Sequence, residues 1–203
     1  DRWCRPVMTR TGPDGGLWVV DMYRYMIEHP DWLPPEGKDE LRPHFRSGDD
    51  RGRIYRIVPK GSKPRPPTRL ASLSTPQLVA ALDSANVWQR DSAQQLLIRN
   101  RDLSACEALR EMVYKSSNPL ARLHAMCTLD GLDALTSDVL KAALADPQAG
   151  VRRQAVRLAT SELVKVDSLV PLAADPDLKV RLQLAATLGS FDGSLAASTL
   201  AKL

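Results

Sequence analysis

Little in this chain points to a cofactor or a membrane. Of 203 residues only three are cysteine, Cys4, Cys106 and Cys127, odd in number and far apart. They form no Cys-x-x-Cys pair for zinc and no Cys-x-x-Cys-His for covalent haem, and their spacing fixes no redox compartment. No stretch approaches the roughly 20 uninterrupted apolar residues of a membrane helix, and no basic-then-apolar leader precedes a small-residue cleavage site. The surplus of positive charge is small, 28 Lys and Arg against 24 Asp and Glu, and it is not clustered, which argues against nucleic acid as a partner. Hydrophobic residues make up 43% and charged residues 26%, ordinary globular usage that excludes a disordered tail, a collagen-like repeat and a coiled-coil rod. The chain opens on Asp1 rather than Met, and Leu195 to Leu203 read as a helix without a stop signal. It is therefore expected to be a fragment.

Proline, glycine and aromatics are unevenly spread. Residues 1–67 hold ten of the fifteen prolines, seven of the eleven glycines and seven of the ten aromatics, while the rest is Ala/Leu-rich. The joint, Pro59-Lys60-Gly61-Ser62-Lys63-Pro64-Arg65-Pro66-Pro67, can form neither helix nor central strand, because prolines lack amide donors and push their predecessors extended. It reads as a stiff, exposed linker over 59–67. Before it, 1–58 contains three strand-like runs: Pro6 to Arg10, Leu17 to Asp21 and Arg53 to Val58. The turn Gly12-Pro13-Asp14-Gly15-Gly16 separates the first two, and Gly48-Asp49-Asp50-Arg51-Gly52 precedes the third. An antiparallel sheet this small needs covering. Met22 to Ser47 is a long excursion between strands, a length usually functional or packed on a neighbour.

Over 68–203 the chain repeats itself. Trp88-Gln89-Arg90, Ala121-Arg122-Leu123, Val151-Arg152-Arg153 and Val180-Arg181-Leu182 recur at offsets of about 30 residues, each opening the second helix of a pair. First helices are expected at Gln77–Asp83, Ala105–Lys115, Ser137–Ala145 and Asp167–Ala174, with apolar pairs such as Leu78/Leu82, Leu109/Val113 and Leu140/Leu144 at helical spacing. Asn118 can cap a helix whose first position is Pro119. A lone pair cannot bury its apolar faces, so neighbours stack into an α-solenoid of about four pairs plus a truncated helix. Trp88, where later repeats carry Ala or Val, is expected to fill the first inter-repeat layer.

The unit Asp-Pro-x-x-x-Val-Arg-x-x-Ala, complete at Asp146–Ala155 and nearly so at Asp175–Leu184, resembles HEAT repeats. The N-terminal wording Arg5-Pro6-Val7-Met8-Thr9-Arg10-Thr11-Gly12-Pro13-Asp14-Gly15-Gly16-Leu17-Trp18-Val19-Val20-Asp21-Met22-Tyr23-Arg24-Tyr25-Met26-Ile27-Glu28-His29-Pro30, followed by Asp49-Asp50-Arg51-Gly52-Arg53-Ile54-Tyr55-Arg56-Ile57, resembles the closing blade of a β-propeller. That propeller belongs to planctomycete-type membrane-bound dehydrogenases, large haem-binding multidomain proteins similar to glucose/sorbosone dehydrogenases. Trp88 to Leu97 and Pro119 to Ala125 resemble that family's first two repeats. The resemblance implies a mostly α fold in which a HEAT-like α-solenoid follows a small antiparallel β segment. It further implies a seam between propeller and c-type cytochrome domain and a location in the periplasm or cell envelope; because the cysteines lack the haem motif, no cofactor is expected within this chain. Haem c would sit in a downstream domain, and the partners would be upstream blades, that cytochrome domain and a protein on the solenoid.

Candidate chemistry gathers after the second strand. Asp21, Tyr23, Arg24, Glu28 and His29 follow a strand end, where propellers commonly bind ligands. Arg24 can hold an anionic group by its planar fork, and Glu28 or His29 can move protons. The competing reading is an inter-blade clamp with its Arg and Glu paired and Tyr23, Tyr25 and Trp32 buried. Asp14, Asp49 and Asp50 lack the spacing of a calcium loop and read as turn residues. Arg53 and Arg56 fall on opposite strand faces. Cys4 with His29 lacks the third group of a nucleophilic triad. His124 and Cys127 supply only two metal ligands and read as core, so no metal is expected. Arg90, Arg122, Arg152 and Arg181, near Asp91, Asp146, Asp175 and Asp177, read as repeat-to-repeat ion pairs and caps.

Overall fold

The computed structural model describes residues 2–63 and 66–203. Pro64 and Arg65 of the proline-rich joint lie outside the described residues. The chain divides into two compact units, Asp1–Thr68 and Arg69–Leu203.

In the first unit three antiparallel strands, β1 (Pro6–Thr11), β2 (Leu17–Asp21) and β3 (Arg53–Ile57), pair in the order β1-β2-β3. The β1–β2 turn closes through the Gly12 N–H on the Gly16 carbonyl at 2.8 Å, with Gly15 at φ 81°, a left-handed value that glycine adopts without strain. The register places Val19 between Thr9 and Tyr55, and Trp18 between Arg10 and Arg56. Alternation therefore puts Leu17, Val19, Asp21, Arg53, Tyr55 and Ile57 on one face and Met8, Trp18, Val20, Ile54 and Arg56 on the other. Val7 is the extra residue of an irregularity between Pro6 and Met8. The excursion from β2 to β3 contains a short helix, α1 (Pro35–Leu41), between 3₁₀ turns at Pro30–Trp32 and Arg42–His44. Among its described residues, the one apolar side chain buried in the unit, proline aside, is Met26.

The second unit is helical and solenoid-like. Three pairs stack in order: α2 (Thr75–Ala81) with α3 (Val87–Arg99), α4 (Cys106–Lys115) with α5 (Pro119–Gly131), and α6 (Ser137–Leu144) with α7 (Ala149–Leu158). α8 (Leu178–Leu188) and α9 (Ser194–Leu200) follow. Starts are chemically fixed. Asn86 accepts from the Trp88 N–H, Asn118 from the Leu120 N–H ahead of a first-turn Pro119, and Asp177 from the Lys179 N–H. One continuous core runs through the pairs, with Leu82, Leu97, Leu109, Met126, Leu140, Val156 and Leu184 fully enclosed. Trp88 packs against this core but is only half-buried, so it does not fill the inter-repeat layer as an enclosed ring.

One expected helix is corrected. Asp167–Ala174 is not α-helical but two 3₁₀ turns, Val166–Ser168 and Val170–Ala174. Pro171 removes an amide donor in mid-segment, and the buried positions Leu169 and Leu172 lie three apart, the period of a 3₁₀ helix.

Candidate functional site

The end of β2 turns sharply because Asp21 holds it. Its Oδ1 accepts the Arg5 N–H at 2.7 Å and the Tyr23 N–H at 2.9 Å, the second bond closing a tight turn that leaves Tyr23 at φ 51°. The Arg5 N–H foremost, then the Tyr23 N–H, outweigh burial and hold the carboxyl below the usual carboxylate range. Cys4 and Tyr55 reinforce this weakly. The other oxygen, Oδ2, is buried with no partner at hydrogen-bonding distance.

Tyr23 is clamped. Its ring stacks on Trp3 at 5.4 Å between centroids, and the Arg53 guanidinium lies 3.8 Å from its centre. Trp3 also meets Tyr25 edge-on at 5.3 Å, and Tyr25 meets His44 at 4.8 Å. Gly48, at φ 90°, passes so close to the Tyr23 carbonyl that no Cβ fits there. Arg24 donates to the Arg46 carbonyl at 3.3 Å and lies 3.9 Å from Asp49, which is itself held by Arg46 at 2.7 Å. Glu28 accepts the Ile27 N–H at 3.2 Å, and its own and that backbone bond keep its carboxyl below the ordinary range. It is therefore ionised, not poised near neutrality. His29 Nδ1 accepts the Asp31 N–H at 3.3 Å and so caps the turn Pro30–Trp32, with its ring between Trp32 and Phe45.

Four of the five predicted side chains thus point into separate local arrangements. Arg24 lines a cavity of about 140 Å³ with Met22, Met26, Ile27, Phe45 and Arg46. That is below the ~300–1,000 Å³ usual for small-molecule sites. Tyr23 and Tyr25 are only half-buried and Trp32 is 83% exposed, against the expectation that all three are buried. Trp3 and Phe45 were not singled out from the sequence. Nothing local marks them, because each meets its aromatic partner across some twenty residues of chain.

The remaining candidates disperse too. Asp14 accepts from the Gly16 N–H at 3.2 Å and Trp18 Nε1 at 3.1 Å and pairs with Arg56, while Asp49 and Asp50 pair with arginines. Arg53 and Arg56 do serve opposite faces. His124 and Cys127 diverge: His124 Nδ1 meets Gln94 Oε1 of α3 at 2.7 Å, and Cys127 Sγ meets Gln154 Nε2 of α7 at 3.2 Å. Burial moves the His124 pKa down and the Cys127 pKa up. Among the described residues no group of three or more His, Cys, Asp or Glu is placed to hold a metal ion.

The arginines are the ordered feature. Arg90, Arg122, Arg152 and Arg181 each donate Nη1 to the carbonyl six residues earlier, on Ser84, Ser116, Asp146 and Asp175, at 2.7, 2.9, 2.8 and 2.6 Å. Arg122 then grips Asp146 of the next pair through Nε and Nη2 at 2.6 and 2.7 Å, and Arg152 grips Asp175 at 2.7 and 2.9 Å. Each aspartate also receives a loop N–H, from Gln148 at 2.8 Å or Asp177 at 2.9 Å. Asp91 instead faces His124 at 3.8 Å.

Residues 1–61 match the profile of a family described as "Domain of unknown function (DUF7133)". No curated protein and no solved structure matches the chain.

Proposed function

We propose that this chain is a structural segment of a multidomain redox protein, in which the sheet docks as a blade on neighbouring sheets and the HEAT-like solenoid spaces it from a further domain. The observation that carries the reading is the uncovered sheet. Within its unit it exposes apolar side chains on both faces, Leu17, Tyr55 and Ile57 on one and Met8 and Ile54 on the other, with Ile54 at 64%. A sheet with one wet face alternates apolar and polar residues, whereas a sheet packed between two others is apolar on both. The setting between a propeller and a c-type cytochrome domain, in the periplasm or cell envelope, comes from the resemblance. Among the described residues no helix is long and apolar enough to cross a membrane.

The inter-blade clamp is the better account of Asp21 to His29, because Asp21, Tyr23, Glu28 and His29 each spend their polar or aromatic groups on local backbone and neighbouring rings. Contribution of this segment to a dehydrogenase pocket is the alternative, and Arg24 at the small cavity is what favours it. A protein on the solenoid is favoured by Leu178 and Leu182, one turn apart on α8 and both largely exposed.

The test uses a dye that fluoresces on exposed apolar surface. The chain should bind it, and Ile54→Lys with Ile57→Lys should remove most of the binding without altering helix content. A chain that binds no dye, or binds it equally in the variant, would defeat the docking-sheet reading.

A further inference from the structure

The arginine ladder breaks at its first rung. Ser116 holds the loop place that Asp146 and Asp175 hold in the next two pairs, and its Oγ accepts the Asn118 N–H at 3.1 Å as those carboxylates accept theirs. A hydroxyl performs the loop task but is too short to reach back to the preceding arginine. Arg90 is nonetheless as buried as Arg122, 7% against 8% exposed. Its Nη1 is taken by the carbonyls of Ser84 and Ala85 at 2.7 and 3.1 Å, while its Nε is buried with no partner. The acids Asp83, Glu111 and Asp91 are engaged elsewhere: Asp83 takes Asn118 Nδ2 at 2.6 Å, Glu111 takes Lys115 at 2.7 Å, and Asp91 faces His124. Among the described residues the Arg90 guanidinium meets only carbonyl oxygens, and a buried charge so placed is electrostatically incomplete.

We propose that the Nε–Nη2 edge of Arg90 is a binding site for the carboxylate of a small organic acid, between the first and second pairs. The same atoms of Arg122 and Arg152 hold a planar carboxylate in two-point contact, so the geometry of the ligand group is already written twice in this chain. A cavity of about 380 Å³ opens beside the loop, with Ser116, Ser117, Met112 and Lys115 in its wall together with two acids, Asp83 and Glu111, that Asn118 and Lys115 hold. The ligand supplies the oxygens that a serine at 116 withholds.

The test is thermal melting of the full chain in about 100 mM formate or acetate against chloride at equal ionic strength. With a dissociation constant of about 10 mM, the carboxylates should raise the solenoid's melting temperature by about 2–5 °C. Ser116→Asp should carry its own carboxylate to Arg90, melt higher without added acid and lose the response. Arg90→Gln should lose the response as well. A wild-type chain that melts alike in carboxylate and chloride overturns the proposal, as does a response that survives in Ser116→Asp. Sulfate giving the same shift overturns the carboxylate class.

Discussion

Arg122 and Asp146 are each more than nine-tenths buried, so neither can lose its partner cheaply. Asp146→Ala leaves a buried guanidinium without its counter-charge and should cost about 3–5 kcal/mol by urea denaturation. Burial pushes the Asp146 carboxyl up, but the Arg122 hydrogen bonds and the Gln148 N–H outweigh it and leave it below the ordinary value; for Asp175 the Arg152 hydrogen bonds lead. A carboxyl depressed in the folded state contributes its full stability above the unfolded value near ~3.9 and loses it as pH falls through the folded one. Stability should therefore hold from neutral pH to about 4 and fall below it, less steeply in Asp146→Asn, as acid titration by circular dichroism will read. Trp88→Ala, at a half-buried ring, should cost about 2 kcal/mol, short of the ~3–5 of an enclosed aromatic. At this scale the sequence was partly legible. The recurrence of Arg122 and Arg152 against Asp146 and Asp175 pointed to ion pairs between repeats, but the missing acid opposite Arg90 did not announce itself, because serine and aspartate serve the loop amide equally.

The repeats were readable as elements because caps and apolar spacing agree, as at Asn118-Pro119 and Leu109/Val113. The segment before α8 was misread because Val166, Leu169 and Leu172 fit a period of three as well as 3.6, and only Pro171 hinted which would win. The strands β1, β2 and β3 were marked by short strand-like runs bounded by the glycine turns. The excursion between β2 and β3 was not, since its order comes from contacts between distant rings such as Trp3 with Tyr23 and His29 with Phe45, which no local pattern encodes. That order depends on Gly48. Gly48→Ala combines a positive φ with a clash on the Tyr23 carbonyl and should unseat the Trp3–Tyr23 stack. Near-ultraviolet circular dichroism should lose aromatic signal while far-ultraviolet helix signal stays; unchanged aromatic signal would place the stack's support elsewhere.

The molecule joins two units of unequal self-sufficiency. Residues Arg69–Leu203 share one continuous core, and a stack of this kind draws its stability from nearest neighbours. Among its described residues the unit Asp1–Thr68 buries Met26 and little else that is apolar, and a three-stranded sheet without a covered face is marginal in water. The solenoid should therefore stand alone, and the sheet should need a neighbour. Native-state hydrogen exchange tests it most directly. In the chain by itself, amides of α5, α6 and α7 should open only with energies of several kcal/mol, and those of β1, β2 and β3 within about 1–2 kcal/mol. Sheet amides protected as strongly as those of the solenoid core would show a unit complete in itself and contradict the account.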